Sequence, residues 1–353
     1  MNKPVYIENI ALISPLGNNV EEHFSAFIKG KSGIQVFDNS GYNNTAIPLA
    51  KFIGNYDSLL SNGLLKTQKA LAEKKITVST IIVSSTKGNL DLLPEDCFQS
   101  TRKLVQNYFP ESSLTIISNA CISGVLAIQH GVDIIRQNGA ENVLVIGIDV
   151  VSDFVVYGFQ SLFALSESAC KPFDEKRNGT TLGEACGVVL LTQHPTSNKI
   201  QVLAGASSND ANHISGPSRT GEGLVRSVNK TLERANITAQ QIDFISAHGT
   251  ATVFNDEMES IAFERLELTN KPINSMKGYF GHTLGAAGVI ETIMSIVSME
   301  KNILFPSLGF ESIGTSMPLN ILTKTKEEKI NTVLKTASGF GGGNASILLQ
   351  KQV

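Results

Sequence analysis

The chain has 353 residues, with 29 Lys and Arg against 32 Asp and Glu and a formal net charge of −3. This near-neutral balance argues against nucleic-acid binding, which needs a clustered excess of basic side chains. No uncharged apolar run approaches the roughly 18 residues that would span a bilayer, and no apolar segment typical of a signal peptide follows the first residues. Since 42% of the residues are hydrophobic and 17% are charged, we expect a cytoplasmic enzyme of about two domain-sized units, with much of the chain buried in its core.

Short β-branched runs alternate along the chain with helical stretches, which favours an α/β protein of layered sheets and helices. The runs that predict strands are 5–12, 78–84, 114–118, 143–148, 188–192, 200–204, 244–246, 334–337 and 346–350. The predicted helices are 21–29, 124–137, 221–235, 256–266 and 286–300.

Two of these helices, 124–137 and 286–300, are apolar nearly all round and should lie in the middle of the structure. Each follows a tight turn with a reactive side chain, Cys121 in one case and His282 in the other. The arrangement of strand, tight turn and apolar helix therefore occurs twice. It predicts two similar halves, 1–195 and 196–353, that divide within the connection 193–198.

Cys121 follows a predicted strand and a turn of small residues, and a buried helix begins just after it. At a helix N-terminus, free N–H groups and the macrodipole stabilise a thiolate, so this position favours a nucleophile. A buried structural cysteine is the alternative. Cys97, Cys170 and Cys186 lack this context and are expected to be free thiols, because no Cys-x-x-Cys or zinc-finger spacing occurs.

His248 lies just past a strand, in a Gly/Thr turn that we expect to expose its ring. Thr250 and Thr252 offer hydroxyls on the same loop, and Asp256 is placed to cap or enter the next helix. A satisfied core or capping histidine remains the alternative reading for His248, as it does for His282.

Two further segments are rich in glycine. The first, 277–288, carries Lys277 and His282, but its spacing matches neither the P-loop nor the dinucleotide fingerprint, so phosphate binding is discounted. The second, 338–345, lies between two predicted strands, where its backbone could approach a ligand closely or bind an oxyanion. A flexible hairpin turn is the alternative for that segment.

In this order, the segments resemble the β-ketoacyl-[acyl carrier protein] synthases, decarboxylating condensing enzymes of the thiolase superfamily. The resemblance covers nearly the whole chain. It rests on Cys121 and Lys277 together with SPLG at 14–17, GKSGI at 30–34, PFD at 172–174, RNG at 177–179, GE at 183–184, HGT at 248–250, GH at 281–282 and GFGG at 339–342.

The resemblance implies a five-layer α-β-α-β-α fold built from two similar halves. It implies that Cys121 takes the acyl group and that His248 and His282 serve a malonyl donor. Lys277 would tune the field around these histidines, with Glu291 as its counter-charge. The Cys-His-His set is similar to that of the elongating synthases, whereas initiating synthases use Cys-His-Asn and thiolases a second Cys.

The remaining implied site residues surround this set. The backbone N–H groups of Cys121 and Phe340 would form an oxyanion hole, and Phe340 would be a mobile aromatic beside the acyl pocket. The other implied contacts are Thr250 and Thr252 for pantetheine, Gly339 and Gly341 for substrate, and Asp256 as a supporting residue.

The activity implied is condensation of an acyl thioester with malonyl-[acyl carrier protein] to give 3-oxoacyl-[acyl carrier protein]. Acyl carrier protein and acyl and malonyl thioesters would be the partners, in a homodimer or a heterodimer with a related subunit. No cofactor and no metal is expected.

The chain departs from the family in two places. It is short between Asn89 and the nucleophile strand, and Ser338 and Gly343 stand where relatives often have Phe and Thr, which makes the gate roomier. These departures favour a specialised polyene- or polyketide-like pathway over fatty-acid elongation. Two alternatives stay open: a non-catalytic partner subunit similar to a chain-length factor, and a thioester hydrolase that uses Cys121.

Overall fold

The structure is a computed structural model that describes residues 3–196, 199–210 and 216–352. The strands are β1 (Tyr6–Ile13), β2 (Gln35–Phe37), β3 (Ile47–Ala50), β4 (Thr80–Ser84), β5 (Ser113–Ile117), β6 (Asn142–Asp149), β7 (Leu182–Gly183), β8 (Ala185–Thr192), β9 (Ile200–Asn209), β10 (Phe244–Ser246), β11 (Ile273–Asn274), β12 (Ile303–Leu304), β13 (Lys326–Glu327), β14 (Thr332–Gly339) and β15 (Gly343–Lys351). The helices are α1 (Val20–Ile28), α2 (Tyr56–Lys74), α3 (Gln99–Tyr108), α4 (Ser123–Arg136), α5 (Asp153–Ser161), α6 (Glu222–Ala235), α7 (Val253–Arg265), α8 (Lys277–Phe280) and α9 (Ala287–Lys301).

Ten strands pair in the order β11-β10-β14-β15-β9-β1-β8-β6-β4-β5, and this order repeats one topology. The strands of the first half run β1-β8-β6-β4-β5, and those of the second run β9-β15-β14-β10-β11. Numbered within its own half, each set has the order first, fifth, fourth, second, third. The directions also agree, since the first two pairings of each set are antiparallel and the last two are parallel.

Helices fill three layers around these two sets of strands. Helices α4 and α9 pack against each other between the sets, α2 and α3 cover the outer face of the first set, and α6 and α7 cover that of the second. The predicted five-layer α-β-α-β-α fold and the central burial of the two apolar helices are therefore confirmed.

The central helices meet through glycine. A Cβ on Gly124 would lie 2.8 Å from the backbone nitrogen of Val289, and a Cβ on Gly288 would lie 2.5 Å from that of Val125. Both distances are shorter than side chains tolerate, so the close approach of α4 and α9 requires glycine at these two positions.

Every strand and helix predicted from the sequence corresponds to an element of the structure, with ends that differ by a few residues. Several helices were missed, among them α3, which buries Ser100, Thr101 and Val105 and so gives little apolar periodicity. The division at 195/196 stays a prediction; it falls between β8 and β9, and residues 197 and 198 of that connection lie outside the described residues. A helix with the length and apolar character to cross a bilayer is absent from the described part of the chain.

Candidate active site

Three loops bring Cys121, His248 and His282 together. Cys121 lies between β5 and α4, His248 follows β10, and His282 lies between α8 and α9. The Cys121 sulfur and one ring nitrogen of each histidine all lie within 4.8 Å of one another, and all three residues are buried. The two imidazole rings are nearly perpendicular, with centroids 5.2 Å apart.

The turn that carries Cys121 is tightly held. Ala120 has a left-handed backbone with φ +43°, which is strained for a residue with a side chain. Ser123 stabilises this turn, because its Oγ accepts the Asn119 N–H at 2.7 Å and donates to the Ala120 carbonyl at 2.6 Å. The backbone N–H of Phe340 faces the Cys121 sulfur and acts to lower the pKa of the thiol.

Burial raises the pKa of the Cys121 thiol to about 11, although the nearby charge of Lys277 acts in the opposite direction. Burial of the sulfur therefore opposes the thiolate that the position before α4 predicts, and a pKa of about 11 corresponds to a thiol near pH 7 in the unloaded protein. The nucleophilic role of Cys121 stays a prediction.

The tautomer of His282 follows from its neighbours. The Leu284 backbone N–H donates to Nδ1 at 3.3 Å, so Nδ1 carries no proton in the neutral ring. The proton lies on Nε2, which is 3.0 Å from the Cys121 Sγ. The His282 backbone is fixed as well, because its N–H donates to Thr181 at 2.6 Å and its carbonyl accepts from Gly183 at 3.0 Å.

His248 is arranged in the same way. The Lys277 ammonium lies 3.3 Å from Nδ1 and has only protons to offer, so this nitrogen is the acceptor and Nε2 carries the proton. Burial and the charge of Lys277 hold the pKa of both His248 and His282 well below the usual range. Both rings are neutral and present an Nε2–H group as a donor.

These tautomers oppose metal binding at the three residues. A metal ion would need the lone pair of Nε2, which carries the proton in both neutral rings. Ligation would require both rings to change tautomer against the donors at Nδ1. The arrangement fits hydrogen-bond donation to an anionic ligand.

A buried ionic cluster lies behind His248. Glu291 bridges two lysines, with Lys277 Nζ 2.7 Å from one carboxylate oxygen and Lys335 Nζ 2.7 Å from the other. Burial acts to raise the pKa of Glu291, but the two lysine charges hold it below the usual value. Glu259 binds the same loop from the other side, since its carboxylate accepts the backbone N–H groups of His248 at 2.9 Å and Gly249 at 2.6 Å.

Lys335, Glu259 and a further buried acid, Asp149, were not predicted from the sequence. Asp149 is fully buried and accepts from Lys87 Nζ at 2.8 Å and from the Gly285 backbone N–H at 2.7 Å, so it ties the loop after β4 to the turn after His282. A charged residue within an apolar strand, as in TVLKTAS at 332–338, is the signal that could have identified Lys335.

A cavity of about 530 Å³ opens onto Cys121 and both histidines. It is lined by Thr250 and Thr252, whose hydroxyl oxygens are 2.8 Å apart, by Gly339, and by Phe340, whose ring stacks on Phe159 at 5.4 Å. A Cβ on Gly339 would lie 3.1 Å from the Cys121 backbone nitrogen, so this hairpin approaches the nucleophile turn closely.

The surroundings of His248, Gly341 and Asp256 were not fully predicted from the sequence. His248 is 2% exposed, so the prediction of an exposed ring is wrong; the loop folds inward, and the ring lies between Lys277, the His282 ring and the cavity. Gly341 does not line the cavity and instead takes a left-handed φ of +85° in the hairpin turn. Asp256 lies within α7 and accepts the Phe173 N–H at 2.6 Å, while burial and Glu259 raise its pKa to about 7.

The five-layer fold and a thiol beside two imidazoles define an acyltransferase of the thiolase type. Residues 113–197 match the model of the β-ketoacyl synthase N-terminal domain, and residues 200–311 match that of its C-terminal domain. The chain belongs to the β-ketoacyl synthase family.

Named relatives agree with this assignment. The 3-oxoacyl-[acyl-carrier-protein] synthase 2 of Coxiella burnetii is 25% identical over 406 residues, which cover 98% of both chains. The tetracenomycin polyketide synthase ketoacyl synthase alpha subunit of Streptomyces glaucescens is 28% identical over 258 residues, covering 68% of this chain and 61% of the relative. Among solved structures, one chain from the complex of a ketosynthase (ApeO) with its chain length factor (ApeC) from Xenorhabdus doucetiae superposes with a TM-score of 0.89, at 26% identity and coverage of 99% of this chain and 98% of that chain.

Proposed function

We propose that this chain is a catalytically active ketosynthase that joins an acyl group on Cys121 to a malonyl unit with loss of CO₂. The observation that carries the proposal is the pair of neutral imidazoles. His282 and His248 each hold an Nε2–H group in the cavity, and the first of these lies 3.0 Å from the Cys121 Sγ.

In the first step, the Cys121 sulfur attacks the carbonyl carbon of an acyl thioester. The carbonyl oxygen becomes an oxyanion, which we expect the backbone N–H groups of Cys121 and Phe340 to bind; in support, the Phe340 N–H faces the Cys121 sulfur. The S–H proton leaves with the carrier thiolate. The step exchanges one thioester for another, so the proton lost by Cys121 balances the proton gained by the carrier thiol.

In the second step, a malonyl thioester loses its carboxylate as CO₂, and the electron pair moves into an enolate. Nε2–H of His248 and Nε2–H of His282 stabilise the enolate oxygen, and loss of one such donor typically costs 10²–10³ in rate. The carbanion carbon then attacks the acyl carbonyl on Cys121. The Cys121 thiolate leaves and takes one proton from solvent, which completes the balance.

The donors would be thioesters on an acyl carrier protein. Thr250 and Thr252 support a place for the carrier's pantetheine arm, since their hydroxyls line the cavity that ends at Cys121. Assembly with a second copy or a related subunit would use β5, which is an edge strand of the sheet in the described part of the chain and leads directly to Cys121. Cytoplasmic localisation and a specialised polyene- or polyketide-like pathway complete the proposal.

A non-catalytic partner role is less consistent with the site. Such a subunit has no need of a thiol, two oriented imidazoles and the buried Lys277–Glu291 pair. Hydrolysis is disfavoured because the lining of the cavity that opens onto Cys121 is largely apolar and includes Phe159 and Phe340.

The test is a product assay with an acyl-[acyl carrier protein] panel and malonyl-[acyl carrier protein]. The proposal predicts a 3-oxoacyl-[acyl carrier protein] product from at least one donor and its loss in Cys121→Ala. Cys97→Ala is the matched control, because Cys97 lies outside the cavity. Free acid would indicate a hydrolase. No product from any donor, alone or with a related subunit, would overturn the proposal.

A further inference from the structure

Lys335 is a fully buried cation that the steps above do not use. It projects from β14, where neighbouring positions of the strand are buried and mostly apolar. Burying an ammonium is costly unless it is paired and fully hydrogen-bonded, so its partners indicate what it stabilises.

The hydrogen-bond partners of Lys335 include the two backbone carbonyls that immediately precede His248. Its Nζ donates to the carbonyls of Ser246 at 3.2 Å and Ala247 at 3.3 Å, and Lys277 Nζ takes the next carbonyl, that of His248, at 2.5 Å. Two ammonium groups thus bind three consecutive carbonyls that end at the histidine. Glu291 joins the two lysines, and Lys335 also donates to its neighbouring Thr336 carbonyl at 2.6 Å.

Lys335 also balances the charges around the imidazole. The charged groups that face this region are Lys277 from α8, Lys335 from β14, Glu291 from α9 and Glu259 from α7, with the neutral His282 and the Cys121 thiol on the cavity side. The second acid of α7, Asp256, faces the Phe173 and Ala251 amides. With both lysines and both glutamates ionised, the cluster carries no net charge. Without Lys335, one carboxylate would be left unbalanced beside His248.

The charge state of His248 determines what the ring does to an enolate. A neutral Nε2–H is a very weak acid that stabilises the enolate oxygen and keeps its proton. An imidazolium is a far stronger acid and can protonate the enolate carbon. Protonation would convert the malonyl thioester to CO₂ and an acetyl thioester, with no new carbon–carbon bond.

We propose that Lys335 is a positioning residue that keeps His248 neutral and oriented, so that decarboxylation is committed to condensation. This inference rests on the proposed function. Loss of the Lys335 charge would raise the pKa of His248, because the anions nearby would then favour the imidazolium. The protonated fraction of His248 would grow as the pH falls, and unproductive acetyl thioester would grow with it.

The experiment compares wild type, Lys335→Met, Lys335→Arg and the control Lys351→Met. Lys351 is a half-buried lysine on β15 whose Nζ donates to the Met299 carbonyl, away from the cavity. Released CO₂, acetyl-[acyl carrier protein] and 3-oxoacyl-[acyl carrier protein] are measured at pH 6 and pH 8 with the enzyme acylated beforehand. Acylation and thermal unfolding of each variant are measured alongside.

We expect Lys335→Met to raise the ratio of acetyl to 3-oxoacyl product by about tenfold or more at pH 6 and by less at pH 8. Lys335→Arg should return the ratio toward wild type because it retains the charge, and Lys351→Met should leave the ratio unchanged. Equal loss of all products at both pH values would mean that Lys335 serves only to hold the fold, and would overturn the inference.

A second readout separates failure of the inference from failure of the proposed function. Titration of ¹⁵N-labelled histidine side chains by NMR reports the pKa of His248 whether or not the protein condenses anything. The inference predicts a higher pKa for His248 in Lys335→Met than in wild type. The same pKa in both proteins would overturn it even if wild type proves to be an active synthase.

Discussion

Cys121 and His282 occupy equivalent positions in the two halves of the fold. Each follows the strand that is third in chain order within its own five-stranded set, β5 or β11, and precedes the central helix of that half, α4 or α9. Because these two helices pack against each other, their N-terminal turns lie side by side, and the Cys121 Sγ comes to 3.0 Å from the His282 Nε2. The reactive pair therefore forms where the two halves meet.

Alkylation of Cys121 should become faster as the pH rises. The pKa of its thiol is raised to about 11 by burial, so the thiolate fraction at pH 7 is small and increases about tenfold per pH unit. We expect the iodoacetamide rate at Cys121, followed by intact mass, to rise steadily from pH 7 to pH 10. A rate already at its plateau near pH 7 would indicate a thiolate–imidazolium pair and would contradict the neutral pair described above.

Removal of His248 should affect decarboxylation of the malonyl donor more strongly than acylation of Cys121. Removal of His248 in His248→Ala leaves the Cys121–Phe340 oxyanion site intact but removes one donor from the enolate. We expect acylation of Cys121 within a few-fold of wild type and decarboxylation about 10²–10³ lower, measured by intact mass and CO₂ release. Replacement of His282 by Asn should cost less decarboxylation than replacement by Ala, because the amide can still donate. Loss of acylation in a folded His248→Ala would argue against this division.

Gly288→Ala should destabilise the protein even though alanine favours helices. The added Cβ would lie 2.5 Å from the Val125 backbone nitrogen, so α4 and α9 would have to separate. We expect a loss of about 1–3 kcal/mol in the free energy of unfolding, measured by denaturant titration. Gly158→Ala in α5 is the control, since a Cβ there meets nothing within 4 Å and should be neutral or stabilising. Equal effects of the two changes would refute the close packing of the central helices.

Asp149 should be required for the position of the His282 turn. Asp149→Ala leaves the half-buried Lys87 ammonium and the Gly285 N–H without their carboxylate. Breaking a buried pair in this way typically costs about 3–5 kcal/mol in unfolding free energy. Acylation of Cys121 should also slow. As a control, Asp96→Ala removes a solvent-exposed pair with Arg102 and should change neither quantity appreciably.

The sequence was most informative where a local pattern carries the chemistry. The turns before two nearly all-apolar helices made Cys121 and His282 candidates, the family resemblance gave them their expected roles, and the same helices predicted two similar halves. His248 was placed correctly after its strand, but its burial could not be predicted. The burial depends on α7 and β14, which pack against a loop whose Gly and Thr residues are typical of an exposed turn.

The contacts of Lys335 and Asp149 could not be predicted from the sequence for a related reason. Lys335 acts through Glu291 and through carbonyls nearly ninety residues earlier in the chain, and Asp149 joins two loops more than a hundred residues apart. The tautomers of the histidines likewise depend on the Leu284 N–H and on Lys277, so they follow only from the assembled structure.

The account depends on Cys121 being the acyl acceptor. The most direct measurement is intact-mass spectrometry of the protein after incubation with acyl-[acyl carrier protein], followed by peptide mapping of the adduct. The account predicts one acyl group per chain, located on Cys121, absent in Cys121→Ala and discharged when malonyl-[acyl carrier protein] is added. An adduct on Cys97, Cys170 or Cys186, or no adduct from any donor, would contradict it.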